Sequence, residues 1–330
     1  MNSVSFSVMS SKMNATFLDF SSLGSGVDTT LLDKLLKINY HGYSNKDNLV
    51  QRLHGKQIAM LNKLVLDRET MMASKDLELI VLAATGTDNI DLEAAKERGI
   101  AVSNIRGYCT ASVVQHVMSL VLGLTRHIRG CPTPSSGKAW EDTETQALAE
   151  YPIRELTGKT IGIIGYGNLG SAVAQAAKCF GMEVLVADRI ETNADGLRDG
   201  RTPLLRVLKE ADIISLHCPL TPITRHLIGV EELNMMKSDA LLINTARGAL
   251  VDSQALVNAL DSGVIGGAGI DVLSKEPPED DEPLLRFDIQ NLIMTPHIAW
   301  SSKESRQRAL TQMAENISDY LAGGKLRRVI

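Results

Sequence analysis

Apolar positions along the chain fall into two separate alternations of strand and helix, with one long apolar helix between them. From Met13 to about Asn104, ATFLDF, QIAML, LELIVLAA and IAVSN read as strands. VDTTLLDKLLKI, NKDNLVQRL and DLEAAKERG carry helical spacing. This alternation predicts a parallel α/β sheet. A helix follows over Thr110–Ile128, with Thr110 as N-cap and Gly130 near its end. Val113, Val117, Leu120, Val121 and Leu124 make it apolar on most faces, which predicts burial between domains or subunits. His116 and His127 within it read as packing or capping residues. After an irregular excursion over residues 131–158, strands resume at TIGII, EVLVAD, ADIISLH, ALLINTA, GGAGIDVL and NLIMTPHI. DSQALVNALDSG predicts a helix capped by Asp252 and closed by Gly263, and a last helix in SKESRQRALTQMAENISDYLA stops at Gly323 and Gly324. The pattern as a whole predicts an α/β chain of two doubly wound parallel sheets.

The second alternation opens with a βαβ unit, Thr160–Asp188, that carries G-x-G-x-x-G as Gly165, Gly167 and Gly170 where strand turns into helix. Gly165 permits the tight turn, Gly167 lets a pyrophosphate approach the backbone, and Gly170 lets helix and strand pack closely. Phosphates would then meet the helix N-terminus, where unpaired N–H groups and the dipole favour an anion. Asp188 closes the second strand at the spacing expected of a ribose-binding acid. A carboxylate there accepts hydrogen bonds from a free 2′-OH, whereas a 2′-phosphate meets repulsion of about 4 kcal/mol per charge pair at ~4 Å and an effective dielectric of ~20. NAD is the expected cofactor, with Arg189 placed to offset part of the repulsion of NADP(H).

Composition changes this picture little. With 330 residues there is length for two cores, and a net charge of −5 with scattered basic residues predicts neither a nucleic-acid nor a membrane partner. Cys109, Cys131, Cys179 and Cys218 stand far apart without C-x-x-C pairing, so no metal site or disulfide framework is expected, and reduced thiols fit the cytoplasm. The Ser-rich residues 1–12 precede a second methionine and read as a disordered extension or an upstream start.

In a doubly wound sheet the ligand lies beyond the carboxyl ends of the strands. Three polar residues stand there: Arg247 after LLINTA, Glu276 beyond GAGIDVL, and His297 after NLIMTP. Arginine can bind a carboxylate bidentately and polarise the neighbouring carbonyl. Histidine can give a proton to a forming alkoxide, and a glutamate bonded to it orients the ring. Together they suit hydride transfer to an α-keto acid. His217, in SLHCPLT, competes with His297 as proton donor and ranks lower, as a residue lining the cofactor pocket.

The blocks GYGNLG at 165–170, SLHCPLTPITRHLI at 215–228, NTARGALVD at 244–252, GAGIDVLSKEPP at 267–278 and TPHIAW at 295–300 resemble the D-isomer-specific 2-hydroxyacid dehydrogenase family, over nearly all the chain from Met13. The resemblance implies that Arg247, Glu276 and His297 are catalytic. It also implies a Rossmann nucleotide-binding domain, 107–297, inserted into a flavodoxin-like substrate domain of 13–106 and 298–330, with a hinge between them. Cofactor contacts are then expected at Gly165, Gly167, Asn168, Leu169, Gly170, Asp188, His217, Thr245 and Asp271. The substrate loop corresponds to ATGTDNID at 84–91, where the amides around Thr85 and Gly86, with Arg247, would hold the substrate carboxylate. The long helix departs from the family pattern, having Val114, Gln115 and His116 where many members place an acid before the histidine, so no contact is carried over from it. LNKLVLDRE, GYCTASVVQHV and HIAW are similar to the branch acting on hydroxypyruvate and glycerate, in which a pocket closed by Trp300 would suit a small uncharged substituent. Phosphoglycerate is the rival substrate, and an NAD(H)-sensing binding protein is the rival class. The apolar helix and the family together imply a homodimer, in which Trp140 is expected to reach toward the partner subunit's substrate cleft.

Overall fold

The computed structural model describes residues 12–128, 140, 153–189, 196–286 and 288–330. Except for Lys12, the expected N-terminal extension lies outside them, as do Gly130 and Cys131. The chain divides into two compact units, one of residues up to Cys109 with Ser301–Ile330, the other Thr110–Trp300.

In the first unit, β1 (Asn14–Phe17), β2 (Lys37–Tyr40), β3 (Ile58–Leu61), β4 (Leu79–Leu82) and β5 (Ala101–Ser103) form a parallel sheet in the order β2-β1-β3-β4-β5. That is the flavodoxin-like order. β3 and β4 are buried throughout, as expected of central parallel strands covered on both faces. The connecting helices are α1 (Thr30–Leu35), α2 (Lys46–Leu53), α3 (Arg68–Ala73) and α4 (Leu92–Glu97), and the C-terminal helix Lys303–Leu321 packs against α1 and β4. Two elements differ from the sequence reading. The helix expected to run through Ile38 ends at Leu35, because Lys37–Tyr40 pairs with β1 as an edge strand. The six-residue α3 has no counterpart there; it is too short for a periodic signal and is fixed by the Asp67 side chain accepting from the Thr70 amide at 2.9 Å.

The second unit holds β6 (Thr160–Ile164), β7 (Glu183–Val186), β8 (Ile213–Leu216), β9 (Leu241–Asn244), β10 (Gly267–Ile270) and β11 (Leu292–Met294), parallel in the order β11-β10-β9-β8-β6-β7. A one-residue parallel bridge between Ala187 and Thr202 extends the edge beyond β7. The strand order reverses between β6 and β8, the point at which an open α/β sheet leaves a crevice at its carboxyl edge. Five helices of this unit are α5 (Thr110–Thr125), α6 (Asn168–Cys179), α7 (Leu204–Glu210), α8 (Val230–Met235) and α9 (Ser253–Asp261). α5 buries Val113, Val117, Leu120, Val121 and Leu124 against α6 and β9–β11 of its own unit. Its apolar faces are therefore largely consumed within the unit, where each fully buried Val or Leu contributes about 1.5–3 kcal/mol.

Candidate active site

Every candidate catalytic side chain lies just past one of three neighbouring strands, β9, β10 and β11. Arg247 follows β9, in a turn tied by the buried Asn244: its Nδ2 donates to the Arg247 carbonyl at 2.9 Å and its Oδ1 accepts from the Ala246 amide at 3.0 Å. Next in the chain is Gly248, where a Cβ would sit 2.0 Å from the carbonyl carbon of Leu273. Only glycine lets the arginine turn lie against the segment leaving β10. The same Leu273 donates its amide to Glu276 Oε1 at 3.0 Å, and Glu276 Oε2 lies 2.5 Å from His297 Nδ1. One contact path thus runs from the Arg247 turn through Leu273 and Glu276 to His297. About 30% of each side chain of the Glu–His pair is exposed, so the imidazole remains open to a ligand.

His297 has φ 55°, a left-handed conformation that costs a non-glycine residue about 1–3 kcal/mol unless its surroundings enforce it. The enforcement comes from Asp271. That carboxylate is buried and accepts from Thr295 Oγ1 at 2.6 Å, the Ile298 amide at 2.9 Å and the Ala299 amide at 2.9 Å. The Asp271 carbonyl takes the His297 amide at 2.7 Å. From α5, His116 Nε2 meets Thr295 Oγ1 at 2.9 Å, and Ser112 donates to the Ala299 carbonyl at 2.7 Å. Trp300 is buried too, and its indole N–H is spent on the His297 carbonyl at 3.1 Å. Asp271, an expected cofactor contact, and Trp300, expected to close the pocket, both also bond to the turn that carries the imidazole.

His217 is placed differently. Burial pushes its pKa down to about 4, so its ring is neutral near pH 7, and its Nε2 pairs with Ser215 Oγ at 2.8 Å. It is poorly suited to donate a proton. Its Nδ1 and the Thr245 Oγ1 are buried without a hydrogen-bond partner among the described residues, at the carboxyl edge of β8 and β9. Polar groups left this way cost about 1–3 kcal/mol each unless something binds them.

The glycine turn has the shape a dinucleotide needs. Gly165 has φ +94°, and a Cβ on it would lie 2.4 Å from the Cys218 amide nitrogen; one on Gly170 would lie 2.0 Å from the Gly165 carbonyl oxygen. Gly167, by contrast, faces open space. No side chain caps α6, and the amides of Asn168, Leu169 and Gly170 donate to no described residue. The Asn168 side chain itself donates to Thr110 Oγ1 at 3.1 Å. An uncapped helix start, open backbone at Gly167 and two orphaned polar atoms beside the turn fit a bound dinucleotide phosphate and its neighbours. Asp188, after β7, is buried and bonded to Arg198, a partner the sequence reading missed in favour of Arg189. Arg198 lies ten residues on in the chain with no periodic pattern between, so nothing local in the sequence marks it.

In the first unit, Thr85 Oγ1 donates to the Ile105 carbonyl at 2.8 Å and Asn104 Nδ2 to the Thr85 carbonyl at 2.7 Å. The loop is held, while the amides of Thr85 and Gly86 donate to no described residue. Among the described residues no cluster of His, Cys, Asp or Glu is arranged to hold a metal ion.

A family model described as D-isomer specific 2-hydroxyacid dehydrogenase, NAD binding domain, matches residues 118–299. The chain is 43% identical over 310 residues to a glycerate dehydrogenase of Methylorubrum extorquens, covering 93% of this chain and 96% of that protein. It is 36% identical over 287 residues to a hydroxypyruvate reductase of Blautia hydrogenotrophica, covering 87% and 88%. Its fold matches the NAD-complexed D-isomer specific 2-hydroxyacid dehydrogenase of Lactobacillus delbrueckii ssp. bulgaricus with a TM-score of 0.73 and 25% identity, over 96% of this chain and 99% of that one.

Proposed function

This chain belongs to the D-isomer specific 2-hydroxyacid dehydrogenase family, and from that premise we propose that it reduces hydroxypyruvate to D-glycerate with NADH, with glyoxylate as a second substrate giving glycolate. The observation that carries the reading is the Glu276–His297 pair on the strand-end edge that also presents Arg247. NADH, when bound, supplies the hydride for the keto carbon. Arg247 binds the substrate carboxylate through its planar fork and polarises the adjacent carbonyl. With Nδ1 engaged by Glu276, His297 keeps Nε2 for the proton that goes to the forming alkoxide. Glu276 orients the ring, while Asp271 and His116 hold the turn beneath it. The Thr85 and Gly86 amides are suited to a carboxylate as well. The dinucleotide is assigned to the uncapped start of α6, with His217 and Thr245 as further polar contacts.

The higher identity to a glycerate dehydrogenase, 43%, than to a D-3-phosphoglycerate dehydrogenase, 36%, supports hydroxypyruvate over a phosphorylated acid. Purified protein should consume NADH rapidly with hydroxypyruvate and more slowly with glyoxylate. Turnover of phosphohydroxypyruvate alone, or of none of a panel of keto acids, would overturn the proposal. We further propose a cytoplasmic homodimer. Cys109, Cys179 and Cys218 are free thiols, as suits a reducing compartment, and Ile128, Trp140 and Ile153 are exposed apolar residues that a second copy could cover.

A further inference from the structure

Asp188, the carboxylate expected to read the ribose, already has a partner within the chain. Its Oδ1 accepts from Arg198 Nε at 2.7 Å, from Arg198 Nη2, and from the Arg189 amide at 2.7 Å. Oδ2 accepts from the Arg198 amide at 2.9 Å. The Asp188 side chain is 1% exposed and that of Arg198 49%, so the guanidinium lies over the acid on its solvent side.

The backbone fixes this arrangement. Thr202 donates its amide to the Val186 carbonyl at 2.8 Å, Asp188 returns its own to the Thr202 carbonyl at 2.9 Å, and Arg201 N–H closes a turn on the Arg198 carbonyl at 3.0 Å. That turn is thereby pinned alongside the end of β7. Arg201 in turn places its guanidinium 4.7 Å from the centre of the Tyr166 ring, in the glycine turn between Gly165 and Gly167. Two guanidiniums therefore flank the place where the adenosine ribose of a bound dinucleotide would lie, with Asp199 the other charged side chain on the turn.

A free ribose diol would have to share Asp188 with Arg198, and it competes with the guanidinium for Oδ1. A 2′-phosphate needs the reverse, a fork-shaped cation within reach and no bare carboxylate. We propose that Arg198 sets nucleotide selectivity in this chain: it competes with the ribose diol for Asp188 and serves as counter-ion to a 2′-phosphate, so NADPH is accepted far better than Asp188 alone would allow. The proposal rests on the dinucleotide reading above.

Titrating the full chain with NADH and with NADPH in the absence of any keto acid, followed by nucleotide fluorescence, tests it through binding alone. In Arg198→Ala the ratio of the NADPH to the NADH dissociation constant should widen at least about tenfold, equivalent to ~1.4 kcal/mol, with NADH bound more tightly than before. Arg198→Lys, which keeps the charge without the fork, should fall between. Asp188→Asn should tighten NADPH, and the double variant Asp188→Asn, Arg198→Ala should lose that gain, since the two residues act on each other. A ratio unchanged in Arg198→Ala, or equal weakening of both nucleotides, would overturn the role of Arg198. Failure of the unsubstituted protein to bind either nucleotide would overturn the dinucleotide reading itself.

Discussion

His217 and His297 both stand at strand ends, and their surroundings give them opposite chemistry. His297 has a carboxylate on Nδ1 and a partly open ring, whereas His217 has a hydroxyl on one nitrogen, nothing described on the other, and a pKa lowered to about 4. Replacing His297 with alanine should lower turnover by roughly 10²–10⁴-fold, the usual worth of a general acid. His297→Ala and Glu276→Gln should leave NADH binding near that of the unsubstituted protein, as read by titration; an undiminished rate in His297→Ala would remove it from the mechanism. His217 makes a prediction about stability. Its folded pKa lies below the ordinary value near 6.5, so the unfolded chain takes up a proton first as pH falls. Its contribution is fully present above about pH 6.5 and is lost progressively toward about pH 4. At pH 5 the loss should approach about 2 kcal/mol. Urea unfolding at pH 7 and pH 5 should therefore show a steeper fall for the unsubstituted protein than for His217→Asn. Equal falls would mean that the ring is not held neutral.

At the scale of elements, the same residue type serves two ends. Gly248 is required because the arginine turn rests on Leu273 backbone that cannot move aside, while Gly167 faces open space with φ −87°, which any residue adopts. Gly248→Ala should therefore destabilise the protein by about 1–3 kcal/mol, as overpacking does, and lower activity with it. Gly167→Ala should leave the thermal midpoint nearly unchanged and weaken NADH, because the added methyl occupies space meant for a pyrophosphate. Paired melting and NADH titration separate the two; a Gly167→Ala protein that melts early but binds normally would contradict the assignment. The elements most legible in the sequence were those with strong period or punctuation, such as β6 and α6 around the glycine turn and α9 with its Asp252 cap, whose side chain accepts from the Ala255 amide at 3.0 Å. β2 and α3 were not, because an exposed four-residue edge strand and a six-residue helix owe their existence to neighbours more than to their own periodicity.

At the scale of the molecule, α5 carries a lesson about oligomers. Its apolar sequence suggested an interface, yet Val113, Val117, Leu120, Val121 and Leu124 are buried within its own unit, leaving Gln115, Ser119 and Arg126 exposed. Support for a dimer thus moves to the exposed Ile128, Trp140 and Ile153. Light scattering at micromolar concentration should give twice the chain mass of 35.8 kDa, and Trp140→Ala with Ile128→Ser should shift it toward the monomer. A monomer from the unsubstituted protein would refute the dimer. The sequence by itself determined the two parallel sheets, the glycine turn and the strand-end placement of Arg247, Glu276 and His297. Strand periodicity, glycine spacing and the rule that ligands lie past strand ends are all local, and local order survives in a linear reading. Tertiary structure alone decided which partners those strand-end residues meet. Asp271 and Trp300 bond to the His297 turn, and Asp188 bonds to Arg198. Those roles depend on partners brought together by the fold across the chain, and a side chain's residue type fixes what it can bind without fixing what it meets.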